Sequence, residues 1–488
     1  MRAIYEHVKS KTDFGKIVGS FPAIAKKTSW EKPLTLHSAS FADVVPAFEN
    51  GEDTPSNFLE RCIGQIKRHE PEVQAFEYLD IEGARRAAQD SSLRWKAGKP
   101  LSNIDGMPLG IKDVIETADM PTGMGSPLFT GIRTNRDSAS VRALREAGAI
   151  IIGKTVTTEF AATFPGKTRN PWDPTRTPGG SSSGSAAGVA AGFFPAGLGT
   201  QVVGSIIRPA SYCGVVGFKP SFGAVNRGGS FDHMSQSSQG VLAATLRDAW
   251  RVLQNIVQRA GGDAGYPGLE GPLDLPDPQT PNKLAFVETA NWAKVAPALQ
   301  QAFHNRIDQL AKTGINIITR SQSEGVRILE ADLSSVFPAT RTIVTWESRW
   351  PLNIFSDMDA TKLSESMRTR LRDAERMTID EYRHAISERE RIRTAYAELI
   401  KSENLDACIT LSANGPAPVG LASTGDPGFA TPCSYLGVPS VSLPLMSMDG
   451  LPIGIQLMGS LNSDAKLFSI ASAIAAILAP ERKYNNPH

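Results

Sequence analysis

Net charge is the first thing this chain lacks. Its 51 Lys and Arg stand against 50 Asp and Glu, which leaves +1 over 488 residues. That balance holds no basic footprint for a phosphate backbone or an anionic bilayer, so the expected partner is a small molecule, with no nucleic acid and no membrane. Cysteine is scarce as well. Cys62, Cys213, Cys408 and Cys433 are far apart and form no C-x-x-C pair. They read as small buried apolar residues in a reducing, cytoplasmic setting, and a disulfide framework is excluded. The seven histidines include no H-E-x-x-H and no close pair, so neither a metal nor a cofactor is expected. No run approaches the roughly 18 apolar residues of a membrane span. An early stretch, KIVGSFPAIAKK, is faintly signal-like, but Gly19 and Pro22 interrupt it.

Helix and strand signals alternate through the rest. TPSNFLERCIGQIKRHEP has Thr54 as a helix cap and Pro55 at the first helical position. IEGARRAAQDSSLRWKAGKP reads as a second helix, closed by Gly98 and Pro100. GMPLGIKDVIET reads as a strand leaving a turn, with Lys112 at or near its end. SASVRALREAGA is a capped helix before the strand IIIG, and FFPAGLGTQ leads into a further strand and turn. TLRDAWRVLQNIVQRAGG is amphipathic, and KLAFVE and INIITR are strands flanking a helix near 296–313. Residues 346–402 are charged and helical, a solvated layer and a candidate lid. ACITLS, SVSLP and PIGIQLM restore strand character before a closing helix, DAKLFSIASAIAAIL. Residues 1–36 read as an extension packing on the core, and 37–488 as one large α/β domain.

Two glycine-bearing stretches need separating. GAIIIGKT, Gly148–Thr155, satisfies G-x-x-x-x-G-K-[ST], yet a phosphate loop needs flexible middle residues whose N–H groups curl round an anion. Ala-Ile-Ile-Ile belongs in a buried strand, and Gly148 reads as the residue ending the helix before it. TPGGSSSGSAAGVAAG, from Thr177, is different. Its glycines allow backbone and ligand to approach closely, and the small-residue run behind it suits a buried helix better than a flexible linker.

GMPLGIKDVIET, RTPGGSSSGSAAGVAAG, GLGTQVVGSIIRPASYCGVVGFKPSFG and YLGVPSVSLPLMSMDGLPIGIQLMG occur together and in order. By these segments the chain resembles the amidase signature family of serine hydrolases, from about residue 40 onward. The resemblance implies a large mixed β-sheet surrounded by many helices and a Ser–cis-Ser–Lys triad. By position the triad falls on Ser205 as nucleophile, Ser181 as the cis-serine and Lys112 as base. Taken singly, these residues read equally well as a helix cap, a turn serine and a strand-end lysine.

The chemistry suits the residue types. A serine hydroxyl needs a base, no His/Asp pair is evident, and a free lysine is protonated up to a pKa of about 10.4. Burial would leave the amine neutral, able to take a proton through Ser181 and return it to the leaving group. The oxyanion hole implied is Val202, Val203 and Gly204 with the nucleophile's own N–H. Here the chain departs from the family, with Gln201-Val202-Val203-Gly204 where Asp/Gln-Thr-Gly-Gly is usual; a glycine with positive φ at position 203 would make the valine distorting. Gly179, Gly180, Ser182, Gln201, Arg208 and Met124 are assigned to substrate binding. Arg208 resembles the malonamidase branch, where it meets a substrate carboxylate; the alternative is a structural arginine holding backbone carbonyls. Pocket walls are expected from MPTGMGSP, HMSQSSQ and STGDPGFATPCSYLG, with Met124, Phe231, Met234, Phe429 and Tyr435 as candidates against a plain core role.

The activity implied is hydrolysis of a small amide, anilide or carbamate through an acyl-enzyme on Ser205. A glutaminase-type subunit of a tRNA-dependent amidotransferase, an esterase using the same triad, and a silent binding protein stand as alternatives. A homodimer is left open.

Overall fold

Alternation along the strands sets the architecture. In a computed structural model, which describes residues 40–232 and 234–478, the described residues carry eleven strands in one sheet. In chain order they are β1 (Phe76–Leu79), β2 (Pro108–Lys112), β3 (Ile150–Thr155), β4 (Ala196–Gln201), β5 (Val216–Lys219), β6 (Ser238–Ala243), β7 (Lys283–Phe286), β8 (Asn316–Ile318), β9 (Ala407–Leu411), β10 (Ser440–Met448) and β11 (Leu451–Met458). Their spatial order is β1-β3-β2-β4-β6-β5-β10-β11-β9-β7-β8. The sheet is mixed: β3, β2 and β4 run parallel, as do β9, β7 and β8, while β6, β5, β10 and β11 pair antiparallel. Successive side chains enter opposite cores. On β3, Ile151 joins one apolar cluster while Ile150 and Ile152 join another, and on β6 Val241 and Ala243 part from Leu242 in the same way. Helices therefore cover both faces, as an apolar strand buried on two sides requires.

Several helix boundaries follow the capping chemistry of the sequence. Thr54 accepts from Asn57 N–H at 3.1 Å with Pro55 behind it, and Ser138 accepts from Val141 N–H at 3.2 Å. Gly148 takes φ +85° at the end of Ala139–Glu146, leaving Ile150–Thr155 as a buried strand. The residues of the phosphate-loop pattern are thus a helix stop and β3, and Lys154 is spent on a buried pair with Asp113 at 3.2 Å.

The helical layer begins earlier than its charge pattern indicates. Helices run Glu324–Leu333, Val336–Asp359, Glu365–Arg376 and Ile379–Ser402. The first part escapes a search for charge because its charges are sparser and one face is apolar: Val326, Leu329, Leu333, Val336 and Ile343 are buried with Ile392 and Tyr396 of the last helix. The expected N-terminal extension, residues 1–36, lies outside the described residues. No described helix is long and apolar enough to cross a membrane.

What holds the site's two parallel strands to the helix behind them is a missing set of side chains. Ser183–Ala190 is buried throughout. Its Gly188, with Gly110 of β2 and Gly197 of β4, forms a socket for the ring of Phe194. A Cβ at Gly110 would stand 2.6 Å from Phe194 Cζ, one at Gly197 would stand 3.1 Å from Cε2, and one at Gly188 would overlap the ring. Emptying the socket with Phe194→Ala should destabilise the protein by about 3–5 kcal/mol. Gly188→Val should cost a comparable amount by forcing the ring out, and the double variant should recover part of the loss because the valine fills vacated space. Midpoints of urea unfolding measure all three.

Candidate active site

Lys112 ends β2, and Thr200 lies near the end of the neighbouring parallel strand, β4. The ends of parallel strands are where open α/β sheets place ligands. Lys112 is fully buried, with Nζ 2.8 Å from Ser181 Oγ, 2.8 Å from Thr200 Oγ1 and 3.4 Å from Thr200 O. No carboxylate pairs with it among the described residues. Burial pushes the ammonium down to about 7, with the charge of Asp232 acting in the opposite direction.

Ser181 follows a cis peptide bond, Gly180–Ser181, and is 1% exposed. The serines after it are tied to backbone carbonyls. Ser182 Oγ donates to Thr200 O at 3.3 Å, Ser183 Oγ to Ser181 O at 3.3 Å, and Ser185 Oγ to Leu198 O at 2.8 Å. Ser205 is 8% exposed and opens onto a cavity. Its carbonyl accepts from Ser182 N–H at 3.4 Å, which ties the two serine loops together. No hydrogen bond joins the Ser205 and Ser181 hydroxyls among the described residues.

The loop between β4 and Ser205 is held by its carbonyls. Gln236 Nε2 donates to Val202 O at 2.9 Å and Ser434 Oγ to Val203 O at 3.2 Å. Gln201 Oε1 accepts from Ile206 N–H at 2.8 Å and Ile207 N–H at 2.9 Å, while its Nε2 donates to Ser434 Oγ at 2.9 Å. The N–H groups of Val203, Gly204 and Ser205 meet no acceptor among the described residues, and all three residues line the cavity. None of Val202, Val203 and Gly204 has positive φ. The valine at 203 therefore occupies ordinary backbone space, and the distortion that a glycine-specific turn would have imposed does not arise.

Arg208 is buried at 6% exposure. It donates from Nη1 to Gly425 O at 3.0 Å and from Nη2 to Gly180 O at 2.6 Å and Thr424 Oγ1 at 2.9 Å. It lines the cavity yet clamps two loops, the one before Ser181 and the one at Thr424, without a carboxylate partner. Burial lowers its pKa.

The cavity before Ser205 measures about 580 Å³. Val202, Val203, Gly204 and Arg208 form part of its wall; Gly179, Gly180, Ser182 and Gln201, expected at the substrate, do not line it. The helical layer roofs it with Thr340, Val344 and Arg370. A second cavity of about 480 Å³ adjoins it and takes in Met124, Phe231 and Met234. Phe429 and Tyr435 are buried in the core, and of HMSQSSQ, His233 lies outside the described residues. Thr200, Asp232 and Arg370 carry no signal in the sequence. Thr200 is found only through the pairing of β2 with β4, and the other two only once distant loops and helices meet.

Comparison with known proteins agrees with this fold. A family model described as Amidase matches residues 57–468. A glutamyl-tRNA(Gln) amidotransferase subunit from Salinispora tropica is 30% identical, over 91% of this chain and 98% of that one. Its counterpart from Chloroflexus aurantiacus is 40% identical over half of each chain. Among solved structures, one described as a crystal structure of amidase superposes with a TM-score of 0.77 at 28% identity, covering 90% of this chain and 100% of that one. Native peptide amidase from Stenotrophomonas maltophilia gives a TM-score of 0.75 at 24% identity, over 90% of this chain and 97% of that one, a likeness of fold alone.

These relatives correct one expectation. A partner set of a small molecule with no nucleic acid is overturned, because the curated relatives are subunits of an enzyme named for a tRNA. The inference from charge fails for a physical reason: net charge averages over the whole surface, and one member of an assembly need not itself carry the basic face that holds a nucleic acid. With its family model spanning most of its length, an amidase fold and a buried lysine against a cis-serine, this chain belongs to the amidase signature family, amidohydrolases acting on carbon–nitrogen bonds.

Proposed function

We propose that this protein hydrolyses an amide through an acyl-enzyme on Ser205, with Ser181 and Lys112 as proton relay. The observation that carries the reading is the 2.8 Å approach of Lys112 Nζ to Ser181 Oγ in a buried setting without an ion-paired carboxylate, where burial brings the amine down to about 7. Ser205 Oγ attacks the amide carbon as its proton passes to Ser181, whose own proton passes to Lys112. Closing the link from Ser205 to Ser181 requires the Ser205 side chain to turn as substrate seats. The free N–H groups of Val203, Gly204 and Ser205 receive the negative oxygen, the C–N bond breaks, and the relay runs backward to protonate the leaving amine. Water then repeats the attack on the acyl carbon. Esters and carbamates fit the same sequence of steps. Four free, buried cysteines suit a reducing compartment, and we place the protein in the cytoplasm.

The curated relatives favour one setting for this chemistry, a glutaminase-type subunit of a tRNA-dependent amidotransferase, in which glutamine is the amide and its ammonia is passed on. Glutaminase activity together with co-purification of a tRNA-binding partner would support that setting; turnover of other amides by the isolated chain, with no such partner, would support a stand-alone enzyme.

Three outcomes are expected. A fluorophosphonate probe should label the wild-type protein and not Ser205→Ala, and amide turnover should fall at least about 10³-fold in Ser205→Ala and in Lys112→Met. The base form of Lys112 is the active one, so kcat/KM should rise with pH through about 7 and level off above it. Asp232→Asn removes the anion that favours the ammonium, so the rising limb should move to lower pH. Finally, Arg208→Ala deletes three buried hydrogen bonds that hold loops. It should lower turnover of acidic and neutral amides alike and lower the melting temperature; a loss confined to acidic amides, with unchanged melting, would assign Arg208 to a substrate carboxylate.

A further inference from the structure

The cavity before Ser205 continues into the second one, which differs from it in character. Its walls are two stacked aromatic pairs, Phe160 on Phe355 at 4.6 Å and 22° and Trp346 on Tyr382 at 5.5 Å and 18°. Phe129 meets Phe355 edge-on at 5.2 Å, and Tyr382 is anchored by donating to Glu347 at 2.9 Å. The turns that present this wall are held in a costly backbone region. Phe160 has φ 50° and ψ 34°, Ala161 has φ 55° and Met124 has φ 53°, with Phe160 N–H donating to Met124 O at 2.8 Å. Bulky residues stay left-handed only where their surroundings fix them, and such residues gather where a ligand is gripped.

The junction between the cavities sets two charged residues among Phe160, Ala162 and Met234. Asp232 and Arg370 face both. Asp232 is 6% exposed, and its Oδ2 has no hydrogen-bond partner. Arg370 makes no ion pair or hydrogen bond among the described residues. A buried carboxylate oxygen without a donor is unfavourable until a ligand supplies one.

Building on the amide-hydrolase reading, we infer that the substrate is an amide whose acyl part places an aromatic ring, or an apolar group of similar size, in the second cavity and an ammonium or N–H donor against Asp232. The bulk belongs to the acyl side. The leaving nitrogen takes its proton from Ser181, which is 1% exposed and lines neither cavity, so that side suits ammonia or a small amine. A volume of about 480 Å³ admits a phenyl ring with its linker.

The test is kcat/KM of the wild-type protein on propanamide, 3-phenylpropanamide, phenylalaninamide and glutamine, with calorimetric binding of the same amides to Ser205→Ala. The ring should raise kcat/KM by about 30-fold over propanamide, the yield of burying it out of water. Phenylalaninamide should exceed 3-phenylpropanamide, and Asp232→Asn should shrink that second advantage. Phe355→Ala should shrink the ring's advantage more than it slows propanamide. Propanamide turned over with no gain from the ring, or glutamine preferred to both phenyl amides, overturns the inference and leaves amide hydrolysis standing. Tight binding of phenylalaninamide to Ser205→Ala, with no amide hydrolysed by the wild type, removes the hydrolase reading and keeps the aromatic site.

Discussion

A buried amine with no carboxylate paired to it is the constraint on which the rest of this structure depends. Among the described residues Lys112 Nζ hydrogen-bonds only to Ser181 and Thr200, at 2.8 Å to each hydroxyl, and the charge of Asp232 acts on it without an ion pair. A buried ammonium with no paired anion is unfavourable, so burial moves the balance toward the neutral amine. One residue further along, the opposite arrangement serves the opposite end. Asp113 and Lys154 are also buried, but they face each other at 3.2 Å, so Lys154 has the partner that Lys112 lacks. Two lysines on adjacent strands therefore do different work because one has a carboxylate within reach and the other has two hydroxyls.

Keeping that amine in place is the task of the sheet. Parallel pairing of β2 with β4 brings Lys112 beside Thr200, and the glycine socket around Phe194 lets the Ser183–Ala190 helix lie close enough for Ser181 to meet the lysine. Arg208 then joins the carbonyl of Gly180 to that of Gly425, fastening the cis-serine loop to a segment more than two hundred residues away. Ordinary hydrogen bonds and close packing supply the positioning, and in the proposed mechanism the lysine supplies the base.

Much of this can be read in the sequence, for reasons that are local. Thr54 and Ser138 announce helix starts, Gly148 announces a stop, and Ala-Ile-Ile-Ile is a strand whatever pattern its ends complete. Ser181, Ser205 and Lys112 are marked by ordered motifs. What escapes the sequence is made at a distance. Thr200 gains its role from strand pairing, Asp232 from a loop folded against the lysine, and Arg370 from a helix crossing the cavity mouth. Residues 324–345 belong to the helical layer, but their charges are sparser than those that follow because one face is apolar and packs on the core. β1, with four residues, is too short to carry a period. Phe429 and Tyr435 take the core role weighed against the pocket one, since an aromatic residue near a site segment is as readily core as wall.

The same division separates reaction from substrate. Lys112, Ser181, Ser205 and the loop from Gln201 sit on β2, β4 and the helices pressed against them, where a single added Cβ would collide with a ring or a backbone atom. Change there is constrained by packing on every side. The aromatic walls come instead from the turn at Phe160 and from the Val336–Asp359 and Ile379–Ser402 helices, whose outer faces are exposed; Trp350, a wall residue, is 73% exposed. Side chains on such a layer can be exchanged at small cost to stability. A fold built this way can keep one way of breaking an amide while altering which amide it admits, so the identity of the relay says little about the substrate and the cavity roof says most.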